Sequence, residues 1–273
     1  MPYRRTLHAF LSLAVLAVAA AGAAEDRSPG DRFAIAIESG DLDAVKALVA
    51  EGNRADTLIG YGEHKITPLM KAVWDGQEPI ARFLIDSGAD VSARDDAGDT
   101  PLTNAIQRKR QELARLLLAK GAPVNFTNSY KQTPLSLAVF AGDGDMVELL
   151  VKAGADLSGE AFGMTPLMMA ASTGNVAMIR RLATLGANVN QAAKTLNRGS
   201  TALFSAIYGG SAEAVTALLE LKADPNARTK DGDTPLKAAR KGDQEEIIKL
   251  LEAAGARSEG ARSGAPKSKP KPN

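Results

Sequence analysis

Chemistry in this 273-residue chain has few groups to draw on. Cysteine is absent, which excludes thiol nucleophiles, disulfides and cysteine-ligated metal sites. The two histidines are His8 and His64. A base at His64 would need an activated nucleophile, yet no serine elbow or second nearby histidine accompanies it. Carboxylates gather at Asp95-Asp96-Ala97-Gly98-Asp99 and at Asp143-Gly144-Asp145. Neither run has the spacing or distal Glu of a calcium loop, whereas turns and helix caps account for both. No glycine-rich phosphate loop follows a strand-like run. Arg108-Lys109-Arg110 reads as a solvated basic loop, and Asn125-Phe126-Thr127 fits a glycosylation sequon. The expectation is no catalytic residue, no metal and no cofactor. An unrecognised hydrolase site among exposed carboxylates is the enzymatic alternative.

Composition points the same way. The chain is 45% apolar and 24% charged, with 33 basic and 32 acidic side chains, which fits an ordinary soluble protein and gives no reason to expect nucleic acid. Residues 1–24 read as a signal peptide: Arg4 and Arg5, an apolar run from Ala9 to Ala21, then small residues allowing cleavage after Ala23 or Ala24. The run is shorter than the ~20 residues that span a bilayer. Thr6-Leu7-His8 continues a twin-arginine motif poorly, so general secretion fits better. A small-residue-rich leader of this kind points to a bacterial periplasmic protein, with a secreted effector that binds a host protein as the alternative. Residues 257–273 hold five basic side chains and one acid among Pro, Ser and Gly, and should be disordered. This tail is either a solubilising end or a contact for an anionic envelope surface. The intervening body, 25–256, has 26 basic and 31 acidic residues.

A repeat organises that body. Thr-Pro-Leu begins at Thr67, Thr100, Thr133, Thr165 and Thr234, and Thr-Ala-Leu at Thr201. Twenty-one residues after each Thr stands a Gly-Ala or its relic: Gly88, Gly121, Gly154, Gly186, Lys222-Ala223 and Gly255. The same ruler puts Asp31 in the Thr slot, Gly40 at mid-repeat and Gly52 late, making seven repeats with atypical ends. Threonine caps a helix and proline occupies its first turn without losing a needed donor. Leu69, Ala72 and Val73 share one helical face, and Ile80, Phe83 and Leu84 one face of the next. Gly76 separates the two helices, and Gly88 ends the second in a left-handed conformation. The unit is turn, helix, short loop, helix. The fold class is an all-α repeat solenoid of stacked helix-turn-helix units.

The words DDAGDTPL at 95–102, GADVSARD at 88–95, GANVN at 186–190 and DGDTPL at 231–236 resemble the ankyrin repeat. The resemblance implies a right-handed stack with hairpin-like fingers, in which thin layers explain the low aromatic content. It also implies binding of another protein through the fingers and the concave side of each first helix, in a monomer with no transmembrane segment. The position seven after each Thr lies on that side: Trp74, Gln107, Phe140, Ser172, Tyr208 and Lys241. The fingers hold Tyr61, His64, Tyr130, Phe162, Met164 and Arg198. The residues expected to contact a partner are Trp74, Asp75, Gln107, Arg108, Tyr130, Phe140, Phe162, Arg198 and Tyr208. For Trp74 and Phe140, packing between repeats is the competing reading. The family's inter-repeat histidine is replaced by Met70, Thr103, Ser136, Met168, Phe204 and Lys237, so its hydrogen-bond network is not expected. The connections 53–66 and 187–200 are long and should protrude or bend.

Overall fold

The computed structural model describes residues 27–61, 64–195 and 199–257. The expected export signal, Arg198 and the tail beyond Arg257 lie outside the described residues. The described residues hold fourteen helices and a two-stranded sheet. They fall into two compact units, the first ending at Pro123 and the second beginning at Val124.

In the first unit, α1 (Pro29–Ser39) pairs with α2 (Leu42–Ala50), α3 (Pro68–Asp75) with α4 (Glu78–Asp86), and α5 (Pro101–Gln107) with α6 (Gln111–Ala119). The long connection before α3 is an antiparallel hairpin, β1 (Ile59–Tyr61) and β2 (His64–Ile66), anchored by buried Ile59. The second unit contains the pairs α7 (Pro134–Phe140) and α8 (Gly144–Lys152), α9 (Pro166–Ser172) and α10 (Val176–Thr184). It continues with α11 (Ala202–Tyr208) and α12 (Ala212–Glu220), then α13 (Pro235–Lys241) and α14 (Glu245–Ala253). First helices stack on first helices within each unit: α1, α3, α5, and separately α7, α9, α11, α13. No helix among the described residues is long and apolar enough to cross a membrane.

Each first helix begins where the sequence supplies a cap. The hydroxyls of Thr67, Thr100, Thr133, Thr165 and Thr234 accept the N–H three residues on, and proline follows each. Thr201 departs from this, because Ala202 replaces the proline and its hydroxyl makes no cap bond. The first repeat departs as well. Ser28, not Asp31, is the N-cap: its hydroxyl accepts the Asp31 N–H at 3.2 Å and donates to the Asp31 carboxylate at 2.7 Å. Ser28-Pro29 offers an earlier start than the period places, so α1 has 11 residues where α5 has 7. The register after it is kept, with Gly40 left-handed at φ 71°.

Each first helix from α3 onward buries one leucine and at least one alanine, and the second helices add buried residues such as Leu48, Ile80, Leu84, Leu117, Leu150, Leu182 and Leu218. Leu69, Leu102, Leu135, Leu167, Leu203 and Leu236 are buried, each contributing about 1.5–3 kcal/mol. Ala72, Ala105, Ala138 and Ala170 are buried beside them and leave room for close helix contact.

Other polar groups tie neighbouring repeats where the histidine is missing. In the second unit, Asn125 accepts the Asp156 N–H and donates to the Gly154 carbonyl, at 2.9 and 2.8 Å. Asn190 repeats this pair of bonds on Asp224 and Lys222, and Asn226 on Arg257 and Gly255. Glu160 accepts from the Lys194 and Thr195 N–H groups and the Thr195 hydroxyl, fastening one finger to the next. Burial pushes the Glu160 carboxyl up, but these three donors outweigh it and hold it below its usual value. In the first unit the Asp56 carboxylate accepts the Asp90 N–H at 2.9 Å.

Candidate partner-binding face

Among the described residues of the first unit, the exposed large apolar side chains are the aliphatic Ile35 and Leu58, and the tryptophan is covered. Trp74, the last apolar residue of α3, is half-buried, and the Arg108 guanidinium lies over its ring 3.7 Å from the centroid. Such a stack contributes about 0.5–1 kcal/mol near the surface and covers the ring from solvent. Arg110 does the same for backbone: its guanidinium lies where a Cβ on Gly76 would be, 2.6 Å away. Below Trp74, the buried Lys71 ammonium donates to Glu38 at 2.9 Å and to Asp75 at 3.0 Å. Burial alone would lower the Lys71 pKa, but the two carboxylates outweigh it and hold it above the ordinary lysine value. Asp75 is thus an ion-pair partner, and Gln107 is half-buried within 3.5 Å of Asp99.

The acidic run beside Gln107 is a turn. Asp95 accepts the N–H groups of Ala97 and Asp99, at 2.9 and 2.8 Å. No cluster of His, Cys, Asp or Glu able to hold a metal is found among the described residues.

The second unit presents bare rings. Tyr208 is 62% exposed, Phe140 58%, Tyr130 55% and Phe162 39%. Phe140 ends α7 and Tyr208 ends α11, so both occupy the same slot of their repeats. Beneath Tyr208 lies fully buried Phe204, with ring centroids 6.2 Å apart. Phe140 meets Phe162 edge to face, with ring centroids 6.4 Å apart and planes at 88°. Phe162 sits at the tip of a finger whose flanks, Ala161 and Met164, bridge each other. Its φ is 55° and that of Gly163 is 73°, so a bulky ring stands where Asn or Gly is the natural occupant. Holding Phe there costs roughly 1–2 kcal/mol. Between the two rings of the row, Ser172 directs its hydroxyl to the Met169 carbonyl at 2.9 Å. Gly209 follows Tyr208 because α9 and α11 are so close that a Cβ would lie 2.5 Å from the Ser172 carbonyl oxygen.

Past Tyr208 the face opens into a cavity of about 360 Å³ lined by Ile207, Tyr208, Asp233, Ala238, Lys241 and Gln244. The Lys237 and Lys241 ammonium groups hold the Asp233 carboxyl below the usual carboxylate range, each at 2.9 Å. Gln244 occupies the N-cap slot of α14 without capping it, and donates instead to the Ile207 carbonyl at 2.8 Å.

The expected contact residues are thus distributed unevenly. Phe140 and the finger-tip Phe162 are brought together, and Tyr208 shares the slot of Phe140 and is exposed like both. Trp74, Arg108 and Asp75 are engaged within the first unit, and Arg198 lies outside the described residues. The Lys71 ion pairs were missed from the sequence, although Glu38 stands 33 residues before Lys71, one period away.

Helix pairs with fingers and a solvent-facing row on the first helices define a helical-repeat scaffold. The model of ankyrin repeats in three copies matches residues 32–95, 93–161, 120–193, 157–229 and 189–260, and the chain belongs to the ankyrin-repeat family. Among solved structures, it is similar to the ankyrin repeat domain of Bcl-3, a member of the IkappaB family. That likeness is 30% identity over 83% of this chain and 99% of that one, with a TM-score of 0.73. An ankyrin repeat domain from Acinetobacter baumannii AYE is 34% identical over 70% of this chain and 98% of that one, with a TM-score of 0.63. The human ASB11 ankyrin repeat domain is 27% identical over 82% and 98%, with a TM-score of 0.66. No curated protein sequence matched the chain. Ankyrin repeat domains generally mediate protein–protein interaction, and the fold is typically a non-enzymatic scaffold.

Proposed function

We propose that this chain is an exported, non-catalytic scaffold of the bacterial cell envelope that holds a partner protein on the inner face of its second unit. The observation that carries this reading is the exposure of Phe140, Phe162 and Tyr208 on a rigid repeat framework. Exposed aromatic rings close together are the usual anchors of protein interfaces, and a preformed face binds with little ordering cost. The export half of the reading rests on the basic start, short apolar run and small-residue cleavage site of residues 1–24.

A photo-reactive residue placed at position 208 in living cells tests both halves. The expected result is one dominant crosslinked protein, recovered in osmotic-shock fluid with the chain itself. A control at Thr216, on the second helix α12, should give no such product. Equal crosslinking from 208 and 216, or retention of the chain in the cytoplasm, would overturn the reading. Recovery from the culture medium would instead make the chain a secreted binding protein.

A further inference from the structure

The slot seven after the repeat threonine holds a ring in three repeats, and each ring is met differently. Trp74 lies under Arg108, which stands eight residues after Thr100 in the next repeat. Phe140 is met edge to face by Phe162. For Tyr208 the residue equivalent to Arg108, eight after Thr234, is Gly242, which brings no side chain. The equivalence holds in space as well as in sequence. Ten residues after Thr100, Arg110 lies 2.6 Å from where a Cβ on Gly76 would be. Ten after Thr234, the Gln244 amide lies 3.8 Å from where a Cβ on Gly210 would be.

The backbone does not require this glycine. Gly242 has φ −98° and ψ 7°, against −94° and 1° for Arg108, a conformation open to any L residue. A Cβ at 242 would stand 3.3 Å from Gln244 Cδ, near the end of a flexible side chain. What Gly242 leaves is the cavity of about 360 Å³, walled by the Tyr208 ring, Gln244 and the Asp233–Lys241 pair. The Gln244 amide nitrogen donates to the Ile207 carbonyl, but its oxygen is buried without a hydrogen bond among the described residues.

We propose that this cavity receives an arginine side chain of the partner, stacked on Tyr208 as Arg108 is stacked on Trp74. The inference rests on the partner-binding reading above and names the side chain the partner brings. The guanidinium lies flat on the ring, and its fork of donors serves the Asp233 carboxylate and the Gln244 oxygen. An aliphatic side chain would fill the same volume and leave that oxygen unpaired. Lys237 and Lys241 already share Asp233, at 2.9 Å each. Lys241 is 62% exposed, so its ammonium turns into water as the guanidinium enters. In the first unit the same place belongs to an uncharged residue, Gln107, set beside Asp99 as Lys241 is beside Asp233. Lys241 therefore opposes the guanidinium, and its removal has a definite sign.

Panning a phage-displayed random peptide library against the full chain tests the inference directly. Enriched peptides should share an arginine. Replacing it with lysine in the best peptide should weaken binding roughly tenfold, because an ammonium neither lies flat on a ring nor forks to two acceptors. Gly242→Arg should abolish binding with the melting temperature unchanged or higher, since the chain then covers its own ring. Gly242→Ala adds no guanidinium and should leave binding largely intact. Tyr208→Leu keeps an apolar wall without the ring face and should cost roughly tenfold. Lys241→Gln should tighten binding about threefold at low salt. Enriched peptides without arginine, indifference to its replacement by lysine, full binding by Gly242→Arg, or weaker binding by Lys241→Gln would overturn the proposal. If position 208 crosslinks a protein while the enriched peptides lack arginine, only the arginine is wrong. If position 208 gives no adduct and no peptide is enriched, the partner-binding reading itself fails.

Discussion

The two units use one repeat to opposite ends. Both use Thr-Pro caps on most first helices, with Ser28 and Thr201 as the departures, and both bury a leucine and an alanine of each Thr-started helix. On the inner face they diverge. The first unit places Trp74 under Arg108 and ties Lys71 between Glu38 and Asp75, so its charges and its ring are satisfied internally. The second unit leaves Phe140, Phe162 and Tyr208 in water and removes carboxylates from its first helices. The layer residues maintain the fold, and the position seven after each threonine is free to differ because no layer depends on it. What fills that slot decides whether a unit is closed or receptive.

Opening the first unit should produce the largest loss of stability. Lys71→Met strands two carboxylates that are partly solvated, and a cost of about 2 kcal/mol is expected, below that of a fully buried pair. Urea denaturation checks it. The pH dependence has a definite sign. The Lys71 pKa is raised in the folded state, so its stabilisation is complete below the ordinary lysine value of 10.5 and fades as pH rises through the folded value. On the alkaline side, the gap between the wild type and Lys71→Met should therefore persist past 10.5 and close as pH rises through the folded value. Glu160 titrates at the other end. Its lowered pKa makes its contribution complete above the ordinary 4.5 and lost as pH falls through the folded value, so Glu160→Gln should differ least in acid.

Uncovering the tryptophan should have a smaller effect. Arg108→Ala removes the stacked guanidinium at a cost of about 0.5–1 kcal/mol. Because Trp74 is the single tryptophan, its fluorescence reports this site alone, and its emission should shift to the red. An unchanged spectrum would show that Arg108 does not shield the ring. The smallest effect is a gain shared by both units. Lys109 and Lys222 hold left-handed backbone at φ 55° and 69°, and Lys109→Gly or Lys222→Gly should each stabilise by about 0.5–1 kcal/mol in thermal melts. A loss in either variant would mean that the lysine side chain contributes more than its backbone costs.

The fold was legible because the repeat writes its caps, layers and turns in separate, regularly spaced residues. Thr67 and Gly88 mark the start and end of a helix pair through local hydrogen bonding and backbone geometry, and such rules need no partner elsewhere. The start of α1 was misplaced by one turn, since Ser28-Pro29 is a cap of equal local quality to the one the period selects. The inner face was only partly legible. The period locates Trp74, Phe140 and Tyr208 in one slot, but exposure depends on what the next repeat brings over each ring. Arg108 reaches Trp74 from the following helix end, whereas no cation is stacked on Phe140 or Tyr208 among the described contacts. The Lys71 ion pairs were hidden because a lysine at a helix start reads as solvent-exposed until Glu38, one period earlier, is laid beside it.

On the partner-binding reading, the second unit's rings serve recognition and not the fold. Stability and peptide binding of the double variant Phe140→Ser, Tyr208→Ser, measured on the same full-length preparation, test it most directly. The expected result is a melting temperature within about 2–3 °C of the wild type together with loss of binding. A fall of about 10 °C or more, with binding per folded molecule retained, would show that the rings hold the repeats together and would contradict it.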